Sequence, residues 1–446
     1  MKMNLEISDN IHEKAALEIV RRLKDDGYEA CWVGGCVRNK IMEIPSEDID
    51  IATSARPDSV QEIFSKTCAV GAKFGVVIVI IDETSTEVAT FRSDGAYLDK
   101  RHPSEVQFSN ARKDAMRRDF TVNALFWDPV SGDLHDFVDG LDDIRRKVIR
   151  CIGRPEERFS EDALRLLRAI RFSARFAFTI EEQTWSAILR NSSSINSISP
   201  ERIRDELIKI FTGPNPGSAL EMLERSGLLR VTLPEIQAMK GVPQPEKFHP
   251  EGDCFEHVKL CLEWLRDPST TLAFGCLLHD VGKPPTYQES DRIRFDNHTK
   301  VGAKIAEDIC RRLRFSNRER EAIVDLVYRH MHFLSVRDMK KSTLKKFLSH
   351  PNIEEDLELH RADCLASHGN LENYHFCMEQ LEIFRKEEEK IIPEPLINGN
   401  DLINEGYKPG PVFKEILSRV EEAQLEEEVS SKEEAMKLVK KEFPLE

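Results

Sequence analysis

Strand-forming periodicity in this 446-residue chain is confined to its first third. A short apolar run in "EACWVGG" closes on a Gly-Gly turn, and "VRNKIME" opens a helix behind it. "EDIDIAT" alternates carboxylates with isoleucines, so the strand period of two sends Asp48 and Asp50 to one face. "GVVIVIID" and "STEVATFR" read as two strands joined by a turn, and "DLHDFVDGLDDI" as a further short strand and turn. From Glu156 onward strand signals nearly vanish. Amphipathic helices broken by "GPNPG", "GVPQPEKFHPEGD" and "DPST" carry the rest. Single hydrophobic cores stop growing near roughly 250–300 residues, so more than one domain is expected. The expected fold class is α+β: a small mixed sheet with flanking helices over 1–150, an all-α segment over 151–240, a second all-α domain over 241–390 and a helical tail over 391–446. In that tail, "EEAQLEEEVSSKEEAMKLVKKEF" reads as one charge-rich helix.

With 40% hydrophobic and 32% charged residues, the composition is that of a globular chain and excludes a disordered one. No apolar run approaches the ~20 residues of a membrane helix. The first thirty residues lack the apolar core and cleavage site of a signal peptide, so a cytoplasmic location without membrane partners is expected. Ten cysteines lie scattered with no C-x-x-C pair, a pattern of buried free thiols. The net charge of −15 argues against indiscriminate nucleic-acid binding, but phosphate recognition depends on where basic groups cluster. Arg165, Arg168, Arg171 and Arg175 recur at three- and four-residue steps along one side of a helix; the spacing alone fits a solvated charged face, and it is the motifs around the stripe that favour a phosphate-facing role.

Two carboxylates on one strand face repel each other unless a cation lies between them, and Mg²⁺ prefers such hard oxygen ligands. Gly34 and Gly35, at a helix start, let backbone N–H groups approach a triphosphate. Glu87 is either a third carboxylate on that face or an exposed sheet glutamate. In "RRDFTVNAL", Arg117 to Leu125, two arginines suit phosphate oxygens, while Asp119 and Asn123 suit a ribose or base.

"VGGCVRN…DIDIAT", "RRDFTVNAL", "DGLDDIRRKVIRCIG" and "SEDALRLLRAIRFSARF" stand in the order and spacing of the class II tRNA nucleotidyltransferases, the CCA-adding enzymes and their bacterial poly(A) polymerase relatives. The resemblance covers about the first 230 residues and implies a polymerase-β-type nucleotidyltransferase head followed by a helical neck and body. It further implies metal roles for Asp48 and Asp50 with Glu87 as third carboxylate, and nucleotide contacts for Gly34, Gly35, Arg38, Arg118, Asp119 and Asn123. Where the family often has Asp after its "VGGxVR", this chain has Asn39, a change that bears on local stability more than on chemistry. The family's neck motif Glu-Asp-x-x-Arg falls on Glu161, Asp162 and Arg165. Asp162 and Arg165, at i and i+3, are expected to share a helix face, either as an acceptor and donor for the edge of an incoming base or as an intrahelical salt bridge.

Beyond residue 249 the histidines of "HPEGDCFEHV", "LLHDVGKP", "DNHTKVGA", "YRHMHF" and "LHRADCLASHG" resemble the H…HD…D signature of the HD phosphohydrolase superfamily. Imidazole with carboxylate suits divalent transition metals such as Ni²⁺, Mn²⁺ or Co²⁺. Carried over, the signature marks His257, His279, Asp280 and Asp363 as metal ligands, His298 and His330 as second-metal or phosphate contacts, and Lys283 as a phosphate contact. This region is either a phosphohydrolase acting on phosphate esters or 2′,3′-cyclic nucleotides, or an inert RNA-binding relic. The function implied for the whole is template-independent addition of C, C and A to the tRNA 3′ end from CTP and ATP. The uninterrupted loop Ser93–Phe108 speaks against a CC-only enzyme, since in the family a shortened loop marks those. An A-adding enzyme or a poly(A) polymerase of the same family remains an alternative, as do a phosphohydrolase whose head senses nucleotides and a non-catalytic RNA-binding module.

Overall fold

Nine strands are found in the N-terminal 136 residues of the computed structural model, which describes the chain apart from residues 4, 47, 72–74, 95–105, 388–390 and 446. They are β1 (Ala30–Val33), β2 (Asp50–Thr53), β3 (Thr67–Gly71), β4 (Val76–Ile81), β5 (Thr84–Thr90), β6 (Arg92–Asp94), β7 (Val106–Phe108), β8 (Leu125–Trp127) and β9 (Leu134–Asp136). β6 and β7 pair with each other, at the base of the Ser93–Phe108 loop, most of which lies outside the described residues. The other seven form one mixed sheet, ordered β3-β4-β5-β2-β1-β8-β9, in which β2 and β5 run parallel and the rest antiparallel. All four residues of β1 are buried, as its central place requires. Trp32 of β1 meets Trp127 of β8 edge-on at 5.3 Å. β3 and β8 carry little alternation of their own and escape a reading of periodicity.

The chain divides into two compact units, Met1–Gln237 and Ala238–Glu446. In the first, the helix Ile11–Asp25, N-capped by Asn10, buries Ala15, Ala16, Ile19, Val20 and Leu23 against the sheet side. Helices Pro155–Glu161, Leu164–Phe176, Glu182–Asn191, Pro200–Phe211 and Pro216–Arg225 follow. Pro155, Pro200 and Pro216 each stand in a first turn, where a missing N–H is harmless.

The second unit is helical apart from a hairpin, Tyr287–Glu289 with Ile293–Phe295, that the sequence does not announce. Its core includes Phe333, Leu348, Leu357, Cys377 and Leu381, and a separate cluster of Leu402, Ile416, Val420 and Val439 holds the tail. The stretch 421–443, expected as one helix, falls in two. Pro411–Leu425 stops where Glu427 turns left-handed at φ 61°, and Lys432–Glu442 restarts under a Ser431 cap that accepts from Glu434 N. None of the ten cysteines is in a disulfide, and all but Cys68 are buried.

Candidate active site and metal centre

Sheet register brings the expected carboxylates together. Val33, the residue before the glycine turn, pairs with Asp50, and the parallel pairing Ile51↔Val88 sets Glu87 level with Asp50. Asp48, Asp50 and Glu87 are all exposed while Ile49, Ile51 and Val88 are buried, so the three share the open side of the sheet. Protein packed around the Asp50 carboxyl raises its pKa, and Glu87 and Asp48 push it further up against the pull of Arg118. Negative charge in excess on one face is what a divalent cation relieves. Gly34 has φ +73°, a backbone conformation that demands glycine, and a Cβ there would lie 2.9 Å from Arg118 Nη1, the mobile tip of a long side chain that would have to shift. At Gly35 a Cβ would make only an ordinary 3.6 Å contact with Arg38 Nη2.

These elements border a cleft of about 470 Å³, lined by Asp50 and by all eight residues to which the resemblance assigns nucleotide contacts: Gly34, Gly35, Arg38, Arg118, Asp119, Asn123, Asp162 and Arg165. Its charged lining comprises seven arginines against three aspartates, a formal excess of four positive charges. Buried Asp114 anchors two of the arginines, its oxygens lying 2.7 Å from Arg117 Nη2 and 3.1 Å from Arg118 Nη2. Asp119 organises the floor. Its Oδ2 accepts from Arg168 Nε at 2.8 Å and Nη2 at 2.6 Å, while Oδ1 accepts from Phe120 N and from Asn123 Nδ2 at 3.0 Å. Burial alone would raise this carboxyl, yet Arg168 and the Asn123 amide bring it down to about 2. Asn123 Oδ1 accepts in turn from Arg38 Nη1, and Arg38 also reaches Asn39 Oδ1 at 2.8 Å. Asp119 and Asn123 therefore spend their polar atoms on one another and on arginines, and they shape the cleft rather than offering free groups to it. Asn39 gives buried Arg38 a neutral acceptor, and burial lowers that guanidinium to about 10.

The neck motif departs from expectation. Asp162 is extended, at φ −147° and ψ 104°, and ends the helix Pro155–Glu161; Arg165 belongs to the next helix, Leu164–Phe176. The two thus share no helix face. Asp162 Oδ1 instead accepts from Leu164 N, and Oδ2 from Arg202 Nη2 at 2.7 Å, while Arg165 Nη1 lies 2.5 Å from Glu161 Oε2. Both still line the cleft. Of the arginine stripe, Arg165 and Arg168 line the cleft, whereas Arg171 turns to Glu206 at 3.3 Å and Arg175 stacks on Phe176. Arg92, Phe172 and Arg202 are cleft residues that motif reading missed. Arg202 carries no local signal, lying forty residues from the Asp162 it meets.

In the second unit the expected histidines converge. His257 Nε2 lies 3.3 Å from His279 Nε2 and 3.1 Å from Asp363 Oδ1; His279 Nε2 lies 3.3 Å from Asp280 Oδ2. His298 and His330 approach each other at 3.4 Å through Nε2 and face Asp280 Oδ1 at 3.9 and 3.7 Å. In each of these four rings Nδ1 is engaged elsewhere: by Glu251 Oε1 for His257, and by the carbonyls of Cys276, Phe295 and Val327 for His279, His298 and His330. That outer shell turns every Nε2 inward, as metal-binding imidazoles require. Burial pushes His330 down to about 3, keeping its lone pair available. The helix Thr270–Leu278 ends at His279, which lets neighbouring His279 and Asp280 point to one place. A Cβ on Gly282 would stand 2.1 Å from His298 O, so only glycine lets this turn approach the His298 helix. Lys283 does not reach outward; its Nζ is buried 2.6 Å from Asp280 Oδ2 and 2.6 Å from Gln244 Oε1. Among the described residues, every set of three or more candidate ligand atoms within 4.8 Å of one another falls in this unit.

A mixed sheet bearing paired carboxylates beside an arginine-lined cleft, followed by helices and a histidine–aspartate centre, defines a polymerase-β-type nucleotidyltransferase head coupled to an HD domain. Residues 30–150 match the poly A polymerase head domain, 177–240 the probable RNA and SrmB-binding site of polymerase A, and 254–367 the HD domain. Both the head and HD families use divalent metals. A CCA-adding enzyme of Staphylococcus epidermidis is 31% identical over 439 residues, 97% of this chain and 98% of that one, and the chain belongs to the CCA-adding enzyme family. A CCA-adding enzyme of Lactobacillus delbrueckii subsp. bulgaricus is 42% identical over 214 residues, 48% of this chain; there the chain spans only about half of the relative's length, at 54%. The crystal structure of the Bacillus stearothermophilus CCA-adding enzyme in complex with CTP aligns with TM-score 0.73 and 28% identity over 97% of this chain and 98% of that one. Among the described residues no helix is long and apolar enough to cross a membrane.

Proposed function

We propose that this protein is a CCA-adding tRNA nucleotidyltransferase of the cytoplasm, adding C, C and A to tRNA 3′ ends from CTP and ATP. The observation that carries this reading is the single cleft in which the Gly34 turn, Asp50 and seven arginines meet. Asp48 and Asp50, with Glu87 beside them, are the groups suited to hold a hard cation such as Mg²⁺. When bound, that ion lowers the pKa of a 3′-hydroxyl and offsets charge on the pyrophosphate leaving group. Arg117 and Arg118, braced by Asp114, are the groups suited to take triphosphate oxygens. Asp119 and Asn123 hold Arg168 and Arg38 in position, and Asp162 and Arg165 offer an acceptor and a donor to the edge of a base. Phe172, in the same lining, supplies an aromatic surface.

Incubating the protein with tRNA lacking its 3′ CCA, and with labelled CTP and ATP separately and together, tests the assignment. CTP alone should extend the tRNA by two residues, and a terminal A should follow when ATP is added. Addition of A only to tRNA already ending in CC would identify an A-adding enzyme, and long A tracts from ATP a poly(A) polymerase. A second activity, metal-dependent hydrolysis of phosphate esters or 2′,3′-cyclic nucleotides, is supported by the convergence of four inward-turned imidazoles on Asp280 and Asp363.

A further inference from the structure

The HD signature accounts for two histidines and two aspartates but leaves one neighbour unassigned. Cys261 stands one helical turn beyond His257 on the helix Cys254–Trp264, so the two side chains share a face. Its fully buried Sγ lies 3.4 Å from His257 Nε2. The ligand atoms of His257, Cys261, His279 and Asp363 all lie within 4.8 Å of one another. A tetrahedral ion with nitrogen at about 2.1 Å and sulfur at about 2.3 Å sets neighbouring donors about 3.3–3.6 Å apart. The distances from His257 Nε2, 3.3 Å to His279, 3.1 Å to Asp363 and 3.4 Å to Cys261, fit that polyhedron. Asp280 stands differently. Its Oδ2 lies 3.3 Å from His279 Nε2 and 3.8 Å from His257 Nε2, but the ammonium of Lys283, 2.6 Å away, competes with a cation for this oxygen, and its Oδ1 faces His298 and His330.

We infer that Cys261 is a metal ligand, so that this centre is a tetrahedral two-nitrogen, one-sulfur, one-oxygen site formed with His257, His279 and Asp363 and selective for Zn²⁺ or Co²⁺. The inference rests on the reading that the second unit holds a divalent metal. A thiolate is a soft donor and turns preference away from Mg²⁺ and Mn²⁺ toward these ions. Binding releases the thiol proton to solvent, so the sulfur enters the site as thiolate. The four ligands come from three helices' worth of chain, two from one helix, one from the end of the next and one from Ile353–Ala366.

Metal-free full-length protein titrated with Co²⁺ gives a direct readout, because thiolate ligation produces a sulfur-to-cobalt charge-transfer absorption that imidazole and carboxylate do not. The wild type should show that band with the intense visible bands of tetrahedral cobalt. Cys261→Ser should bind Co²⁺ at least about tenfold more weakly and lack the charge-transfer band. Cys276→Ser, which removes the neighbouring thiol, should retain it. Cobalt bound by the wild type without the band, or a band that survives in Cys261→Ser, would overturn the sulfur assignment while leaving the metal centre standing. Failure of the wild type to bind Co²⁺ at all would overturn both. Zinc X-ray absorption on the wild type, which requires no variant to fold, should find one sulfur in the coordination shell; none would likewise exclude Cys261.

Discussion

Asp50 owes its position to two strand registers and its chemistry to crowding. With its pKa raised, the native state takes up this proton more readily than the unfolded chain, so stability falls as pH rises from the ordinary value of 3.8 through the raised one. Above that window the ionised carboxylate is a standing destabilisation of the metal-free fold. Asp50→Asn should therefore abolish nucleotide addition yet melt no lower than wild type in EDTA at neutral pH, measured by calorimetry beside a CTP-incorporation assay. Substantial incorporation by the variant would remove Asp50 from the cation site. Asp48, Asp50 and the glycine turn were legible because each is specified within a few residues: alternation sets the strand face, and a left-handed φ at Gly34 needs glycine. The partners of Asp119 were not. That its carboxylate would be consumed by Arg168, forty-nine residues away, depends on where the helix Leu164–Phe176 packs, which local pattern does not encode.

At the scale of elements, the break between Pro155–Glu161 and Leu164–Phe176 changes what the neck motif does. Spacing at i and i+3 places two residues on one face only while the helix continues, and Asp162 is where it stops. Its carboxylate caps the following turn through Leu164 N and is braced by Arg202, so its orientation belongs to the junction of three helices. A base-edge hydrogen-bonding pair discriminates by about 1–3 kcal/mol, or roughly tenfold to a hundredfold. Asp162→Ala should raise UTP and GTP incorporation relative to CTP and ATP by that order, and Arg202→Ala, which loosens Asp162 without removing it, should do so less. Competition among the four nucleotides on one tRNA measures both. An unchanged preference in Asp162→Ala would leave the residue as a brace alone. The same lesson appears in the tail, where charge patterning promised one helix and a left-handed Glu427 followed by a Ser431 cap makes two.

The whole molecule carries two sets of chemistry on two separately packed units, and they share no residue. His279→Ala combined with Asp363→Ala, which spares the buried Asp280–Lys283 pair, should eliminate any metal-dependent phosphoesterase activity and leave CCA addition within about twofold of wild type, the first assayed with Co²⁺, Ni²⁺ or Mn²⁺ and the second with Mg²⁺. Loss of CTP incorporation by a folded variant would tie the second unit to the transferase reaction. The change from strands to helices was readable from periodicity, and the histidines from their resemblance to the HD signature; of the cleft's seven arginines, Arg92 and Arg202 were not, since the lining is gathered from segments scattered between residues 38 and 202. That gathering has a consequence for encounter. A chain with fifteen excess negative charges repels a polyanion over long distances, while its cleft is positive by four. A phosphate backbone drifting past is deflected by the surroundings and admitted at one mouth, so selection begins in the field before any base is touched. Raising salt to 1 M, where screening acts within about 3 Å, would silence both the repulsion and the invitation.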